Sequence, residues 1–224
     1  MQDFQDRLVF ITGGSSGIGL ETARLFSSLG AHVAVFARNA ERLEQARQDI
    51  EGHRRSSGQK ISAMTVDVAD HMDVEENMRS AVKDFGTPDI VVANAGVGYA
   101  DRFENIPYEE FDALMKTNVY GVRNTIAALL PSVRGRGGHV VIVSSAAGLM
   151  GMYGYSAYGT SKFALVGFAE SLRSELKPLG IPVTLVCPAE VDTPFVPREA
   201  QKLPPEARAV KSFCGLIGPE RVAR

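Results

Sequence analysis

The chain has 224 residues, and 24 Lys and Arg stand against 26 Asp and Glu, so its formal net charge is −2 with histidine neutral. Hydrophobic residues make up 45% and charged residues 22%, as in ordinary globular domains, which disfavours disorder, collagen and coiled coil. The near-neutral charge gives no electrostatic reason to expect a nucleic-acid partner, because phosphate binding needs a basic field.

Targeting signals and metal-binding patterns are not evident. Acidic residues stand near the N-terminus where a signal peptide needs basic ones, and no stretch approaches the roughly 20 apolar residues of a membrane helix. Cys187 and Cys214 are too few for a disulfide framework, and the four histidines are scattered. We therefore expect no metal site, no membrane-spanning segment and a cytoplasmic location that is at most peripheral to a membrane.

Short apolar runs alternate with amphipathic helical stretches along the whole chain. The predicted strands are Leu8–Thr12, His32–Phe36, Ile61–Val66, Ile90–Ala93, Val140–Ser144 and Val183–Val186. Each run is nearly all apolar, which is typical of parallel strands that are buried on both faces. The order predicts a single α/β domain over residues 1–224, with helices on both faces of a doubly wound parallel sheet of six or seven strands.

The first strand leads into a glycine-rich turn and then a helix. Gly13, Gly17 and Gly19 let the backbone approach a pyrophosphate closely, and the helix that starts near Gly17 points its positive end at the phosphates. Ser15 and Ser16 lie in the same turn. This context predicts a Rossmann-type dinucleotide site, although a tight turn that binds nothing is the alternative.

The residue after the second strand predicts which dinucleotide binds. An NAD-preferring site places a carboxylate there, but this chain has Ala37 and then Arg38. A guanidinium can bind a 2′-phosphate through several N–H donors that lie in one plane. We therefore expect NADPH rather than NADH, with a solvated surface arginine as the alternative.

Tyr158 and Lys162 are one turn apart on one face of a predicted helix. The ammonium would lower the pKa of the phenol, so that the tyrosine can exchange a proton with a carbonyl or an alcohol. Ser144 and Ser145 end the preceding strand, where open α/β sheets bind ligands. A serine–lysine hydrolase is the alternative, but the chain lacks a G-x-S-x-G elbow.

Together these motifs resemble the short-chain dehydrogenase/reductase superfamily over residues 7 to 224. The matching elements are TGGSSGIG at 12–19, Asp67–Val68, NAG at 94–96, Asn118, the serine strand, and Tyr158 with Lys162. The resemblance implies a catalytic tetrad of Asn118, Ser145, Tyr158 and Lys162. Ser145 is preferred over Ser144 for its spacing to Tyr158, and Asn118 would hold a water in a proton relay.

The resemblance also implies a set of cofactor contacts. Asp67 would bond the adenine, Val68 would pack on it, and Lys162 would hold the nicotinamide ribose. Ala189 replaces the glycine of the family's motif after the sixth strand. The implied cofactor-binding residues are Thr12, Gly13, Ser15, Ser16, Gly17, Ile18, Gly19, Arg38, Asp67, Val68, Asn94, Ala95, Gly96, Tyr158, Lys162, Pro188, Val191 and Thr193.

Several stretches are similar, within the superfamily, to the 3-ketodihydrosphingosine reductases. This implies NADPH-dependent reduction of 3-ketodihydrosphingosine at a pocket that includes Ser145, Met150, Met152, Tyr155 and Phe195. A 3-oxoacyl thioester reductase, a hydroxysteroid-type dehydrogenase and a non-catalytic NADPH-binding sensor or scaffold remain alternatives. The proline-rich segment 193–218 is expected to be a substrate lid, with a helical surface excursion as the alternative.

The helices Tyr108–Leu130 and Ser156–Lys177 each keep one face after packing on the sheet. In the family these faces pair across a dimer axis, which implies a homodimer or homotetramer. The last residues resemble only the first turn of the family's final helix. We therefore expect the last helix and the seventh strand of the family to be missing from this chain.

Overall fold

Six parallel strands form one sheet in the order β3-β2-β1-β4-β5-β6. The computed structural model describes residues 4–194, 203–211 and 215–224. The strands are β1 (Leu8–Thr12), β2 (His32–Ala37), β3 (Ile61–Thr65), β4 (Ile90–Ala93), β5 (His139–Val143) and β6 (Val183–Val186). The strand order reverses between β1 and β4, which is the point where sheets of this type bind their ligands.

Helices connect the strands and cover the sheet. They are α1 (Gly17–Ser28), α2 (Ala40–Gly52), α3 (His71–Phe85), α4 (Tyr108–Leu114), α5 (Gly121–Val133), α6 (Ser156–Leu176), α7 (Pro205–Lys211) and α8 (Pro219–Ala223). Side-chain caps start two of them: the Asn39 side chain accepts from the Arg42 N–H at 2.8 Å, and Asp70 accepts from the Met72 N–H at 2.9 Å. These caps satisfy backbone donors that a helix start otherwise leaves unpaired.

The sheet buries apolar side chains on both faces because successive strand residues point to opposite sides. On one face, Phe10 belongs to a core that includes Met78 of α3 and Leu165 of α6. On the other face, Ile11 belongs to a separate core that includes Leu43 of α2. With both faces covered by helices, the open approach to the sheet is the edge where the strands end.

The predicted fold class is confirmed, and the strand boundaries differ from prediction by a residue or so. The largest difference lies in the predicted helix over 108–130, which a π-helical turn at Met115–Tyr120 interrupts. Val191 and Ile217 form an isolated parallel bridge beyond β6. None of the helices in the described ranges has both the length and the apolar character needed to cross a membrane.

Candidate active site

A cavity of about 610 Å³ opens along the carboxyl ends of the strands, within the size range of ordinary ligand sites. Residues that follow different strands line it, so the fold gathers groups that are far apart in sequence. The sequence-predicted residues along its walls are Gly13, Ser15, Ser16, Gly17, Ile18, Arg38, Val68, Asn94, Ala95, Gly96, Ser145, Met150, Met152, Tyr155, Tyr158, Lys162, Pro188, Val191 and Thr193.

One end of the cavity fits a pyrophosphate. Ser16 stands at the N-cap of α1 without a side-chain hydrogen bond to the helix, and the first turn holds no acidic residue. The first-turn N–H groups and the helix dipole therefore remain available to an anion. Gly17 has φ +54, and a Cβ on Gly19 would collide with the carbonyl oxygen of Gly13. Side chains at these two positions would strain the turn or fill it.

Hydrogen bonds hold the end of β1 against the chain segment that follows β4, beside this turn. The Thr12 hydroxyl accepts from the backbone N–H of Asn94 at 3.1 Å and of Ala95 at 3.2 Å. The Asn94 side chain in turn donates to the carbonyl of Thr12 at 3.0 Å. Thr12 is buried and lies behind the wall of the cavity, so it positions residues 94–95 and the glycine turn relative to each other.

Two arginines lie at the end of the cavity that follows β2. Arg38 and Arg42 both line it, and the Arg38 guanidinium is 4.0 Å from the carboxylate of Asp67. Asn39 sits between them and caps α2, which places Arg42 in the first turn of that helix. Sequence reasoning missed Arg42, although its signal was present as a second arginine four positions after Arg38. The paired guanidiniums suit a doubly charged phosphate.

Tyr158 and Lys162 meet on the inner face of α6. The Lys162 Nζ lies 5.6 Å from the centre of the Tyr158 ring and donates to the carbonyl of Val143 at 3.2 Å. Lys162 is buried, and this burial lowers the pKa of its ammonium to about 8. Tyr158 is half-buried and lines the cavity. The pair thus offers a phenol hydroxyl beside a cation that has little water around it.

The two adjacent serines have different environments. Ser144 is buried, and its hydroxyl donates to the carbonyl of Lys162 at 2.9 Å, which ties β5 to α6. The Ser145 hydroxyl accepts from the Ala147 N–H at 3.2 Å and is more accessible from the cavity. Because its hydroxyl is the more accessible of the two, Ser145 has the better placement for a substrate oxygen. Burial raises the pKa of the thiol of Cys187, which lies beside both serines.

Asn118 lies in the π-helical turn behind Tyr158 and Lys162. Its side chain donates to the Val97 carbonyl and to the Ser161 hydroxyl, both at 2.9 Å, and accepts from the Val97 N–H at 2.8 Å. These bonds lock the loop after β4 against α6. π-Helical turns occur frequently at functional sites. The role of Asn118 in holding a water stays a prediction.

Apolar side chains form the remaining wall. Met150, Met152, Tyr153 and Tyr155 line the cavity, together with Ala207 of α7. Leu203 and Ala207 pack with Ala100 and Tyr155 in a small core beside Tyr158. The expected lid is thus described in part, through α7. Phe195, also expected in the substrate pocket, lies outside the described residues.

Four predicted site residues do not line the cavity, and one unpredicted carboxylate does. Thr12, Gly19 and Asn118 lie behind the wall, and Asp67 lies beside Arg38. Glu190, which follows β6, lines the cavity and was not singled out by the sequence. Its position within the segment after Pro188 was the available signal, but a single acidic residue in a loop is usually solvated.

The sheet topology and the uncapped glycine turn define a Rossmann-type dinucleotide-binding domain. The family model described as short chain dehydrogenase matches residues 7–204. The chain belongs to this family, as the resemblance predicted. A crystal structure of a short chain dehydrogenase from Burkholderia cenocepacia in complex with NADP has a TM-score of 0.87 at 30% identity and covers 99% of this chain and 89% of that one.

Two of the proteins that are similar to this chain are named as reductases. The 3-ketodihydrosphingosine reductase of Bos taurus is 38% identical over 218 residues, which are 96% of this chain and 66% of that protein. The 3-dehydrosphinganine reductase of Danio rerio is 37% identical with the same coverage. The chain thus spans about two thirds of the length of these relatives.

The buried Lys162 makes stability depend on pH. Its pKa is about 8 in the folded protein, against 10.5 for a lysine side chain in water. Folding therefore disfavours the protonated form, and the penalty is complete below about pH 8 and disappears as pH rises through 10.5. Relative to Lys162→Met, the wild-type free energy of unfolding should rise by about 3 kcal/mol over this window. Urea unfolding of both proteins at several pH values measures the difference.

Lys60→Met is the matched control, because Lys60 is exposed. The difference in the free energy of unfolding between this variant and the wild type should not change between pH 8 and 10.5. Parallel pH profiles for wild type and Lys162→Met would contradict the assigned cause.

Proposed function

We propose that this protein is an NADPH-dependent reductase that converts a ketone into an alcohol. The observation that carries the proposal is the placement of Tyr158, Lys162 and Ser145 on the wall of one cavity with the uncapped N-terminus of α1. A hydrolase would have no use for the phosphate-binding turn. A non-catalytic sensor would not need a phenol beside a buried ammonium.

The site residues have separate roles in this reaction. When bound, NADPH supplies the hydride. The Ser145 hydroxyl donates a hydrogen bond to the ketone oxygen and holds it beside Tyr158. The Tyr158 hydroxyl gives its proton to that oxygen as the alcohol forms, and the Lys162 ammonium stabilises the tyrosinate that remains. Asn118 holds the loop and helix in register behind them.

The cofactor is proposed to be NADPH, held along the carboxyl ends of β1 to β4. The α1 N-terminus and residues 13–18 would take the pyrophosphate, and Arg38 with Arg42 would take the 2′-phosphate. Val68 and residues 94–96 line the stretch between these groups and the catalytic side chains. The NADP complex of the Burkholderia cenocepacia relative supports this choice.

The proposed substrate is 3-ketodihydrosphingosine, reduced to dihydrosphingosine. The names of the Bos taurus and Danio rerio relatives support it. The methionine and tyrosine wall suits a flexible alkyl chain, because methionine fills irregular apolar space. A cytoplasmic location at a membrane surface would suit this lipid-like substrate and stays a prediction.

A direct assay tests the proposal. NADPH oxidation should be followed with 3-ketodihydrosphingosine, a 3-oxoacyl thioester and a steroid ketone as separate substrates, after NADPH binding has been confirmed. Selective turnover of the sphingoid ketone is expected. Turnover of another ketone alone would contradict the proposed substrate, and binding of NADPH without any turnover would contradict the proposed reaction.

Tyr158→Phe removes the proton donor and keeps the ring. Turnover should fall by roughly 10²- to 10⁴-fold, the usual contribution of general acid catalysis, while NADPH affinity stays unchanged. Tyr108→Phe is the matched control and should leave turnover unchanged, because Tyr108 is exposed at the start of α4 and does not line the cavity. Turnover that survives in Tyr158→Phe would disprove the proton-transfer role.

Arg38→Asp should invert the cofactor preference. A carboxylate at this position repels the 2′-phosphate, and a like-charge contact of this kind changes the NADPH-to-NADH affinity ratio by roughly a hundredfold or more. Arg79→Asp is the control, since Arg79 lies on α3, pairs with Glu75 and does not line the cavity. Titration of both cofactors gives the ratio. Equal affinity of the wild type for both would contradict the role of Arg38.

A homodimer or homotetramer is part of the proposal. Tyr120, in the π-helical turn before α5, and Phe163 of α6 are large apolar side chains that are about half exposed in the single chain. Both residues lie in the predicted helices, 108–130 and 156–177, whose remaining faces are expected from the family resemblance to pair across a dimer axis. Light scattering should give two or four times the chain mass of 24.1 kDa. A mass of one chain would contradict this prediction.

A further inference from the structure

Val68 reaches the cavity from the short loop between β3 and α3. Because β3 lies next to β2 in the sheet, this loop leaves the sheet beside Arg38, and the guanidinium of Arg38 is 4.0 Å from the carboxylate of Asp67. Val68 lines the cavity and is otherwise buried. An apolar side chain next to the arginines that would take the 2′-phosphate suits one face of the adenine. The position of Val68 therefore bears on how the adenosine half of the cofactor is held.

Helix α3 and the loop's own backbone fix the residues on either side of Val68. The Asp67 N–H donates to the carboxylate of Asp73 at 2.7 Å, and the carboxylate of Asp67 accepts from the Ala69 N–H at 3.0 Å. The Asp70 N–H donates to the carbonyl of Asp67 at 3.0 Å. These three bonds shape the loop, but none of them involves Val68.

Helix α5 holds Val68 from the opposite side. Asn124 is buried, and its side-chain amide donates to the carbonyl of Val68 at 3.1 Å, across 56 positions of the chain. The amide oxygen of Asn124 accepts from the guanidinium of Arg123 at 3.3 Å. One turn earlier, a Cβ on Gly121 would come within 2.7 Å of the Val68 Cγ2, so the missing side chain leaves the space that Val68 occupies. A buried amide is costly unless it is hydrogen-bonded, and here its partner is the backbone of a residue of the cavity wall.

We propose that Asn124 is a positioning residue for the cofactor, whose amide, together with the space at Gly121, fixes where Val68 contacts the adenine. This inference rests on the proposed function and adds to it a residue that does not line the cavity. Asn124 acts through Val68 and touches neither cofactor nor substrate. It therefore governs the affinity for the adenosine half and leaves the chemistry at Tyr158 unaffected.

Asn124→Leu tests the inference, because it removes the donor and keeps a side chain of similar size. The Kd of NADPH should rise roughly three- to tenfold, the ratio that corresponds to the loss of one neutral hydrogen bond. The Kd of adenosine 2′,5′-bisphosphate, which carries only the adenosine half, should rise by the same factor. The NADPH-to-NADH affinity ratio should stay unchanged, as should kcat and KM for the ketone at saturating NADPH.

Thr125→Val is the matched control. Thr125 is the neighbouring buried residue of α5, and its hydroxyl donates to the carbonyl of Gly121 at 2.8 Å. The substitution thus removes a buried hydrogen bond within α5 rather than one to Val68. It should leave the Kd of both ligands unchanged, and thermal melting of each variant confirms that it is folded.

A double-mutant cycle tests whether Asn124 acts through Val68. In a Val68→Ala background the positioned methyl groups are gone, so Asn124→Leu should change the Kd of adenosine 2′,5′-bisphosphate by less than about twofold. Gly121→Ala is a second, independent variant. Its Cβ would press on Val68, so it should weaken binding of the same ligand in the wild type and have little effect in the Val68→Ala background.

Three results would overturn the inference: an unchanged Kd in Asn124→Leu, an equal loss in Thr125→Val, or equal factors for Asn124→Leu in the two backgrounds. A wild-type protein that bound neither NADPH nor adenosine 2′,5′-bisphosphate would instead contradict the proposed function.

Discussion

The parallel arrangement of the strands is the constraint on which the site depends. All six strands end at the same edge, so each loop that leaves a strand adds its side chains to one cavity. Parallel sheets need helical crossovers, and these helices bury both faces and leave the edge as the place where ligands can enter. The glycine turn, the arginines, the loop with Asn94, the serine strand and Glu190 all reach the cavity in this way.

A buried lysine links the stability of the fold to its chemistry. Lys162 is held by the carbonyl of Val143 and lies beside the Tyr158 ring, and burial lowers its pKa. Folding disfavours this charge, but the same lack of water strengthens its electrostatic effect on the phenol. The hydroxyl of Ser144 and the side chain of Asn118 hold the surrounding backbone in place. Helix α6 is thus positioned by polar bonds as well as by its apolar core.

The charges divide the proposed binding cavity into two parts. The nucleotide end carries Arg38, Arg42 and the positive end of α1, which together suit phosphate groups. The wall beyond Tyr158 is formed by apolar side chains, which include Met150 and Met152. Charged and apolar surfaces therefore occupy different parts of one cavity.

The sequence by itself determined the strands, the start of α1, the bounds of α6 to within a residue, the glycine turn and the pairing of Tyr158 with Lys162, because these follow from local periodicity and from spacing within one element. It also indicated Arg38, which directly follows a strand. Only the tertiary structure decided that Thr12 and Asn118 brace the site rather than line it, that Ser144 ties β5 to α6, and that Arg42 and Glu190 face the cavity. These roles depend on contacts between segments that are distant in the chain, and on which side of a loop a residue points. Neither property leaves a periodic signal in the sequence.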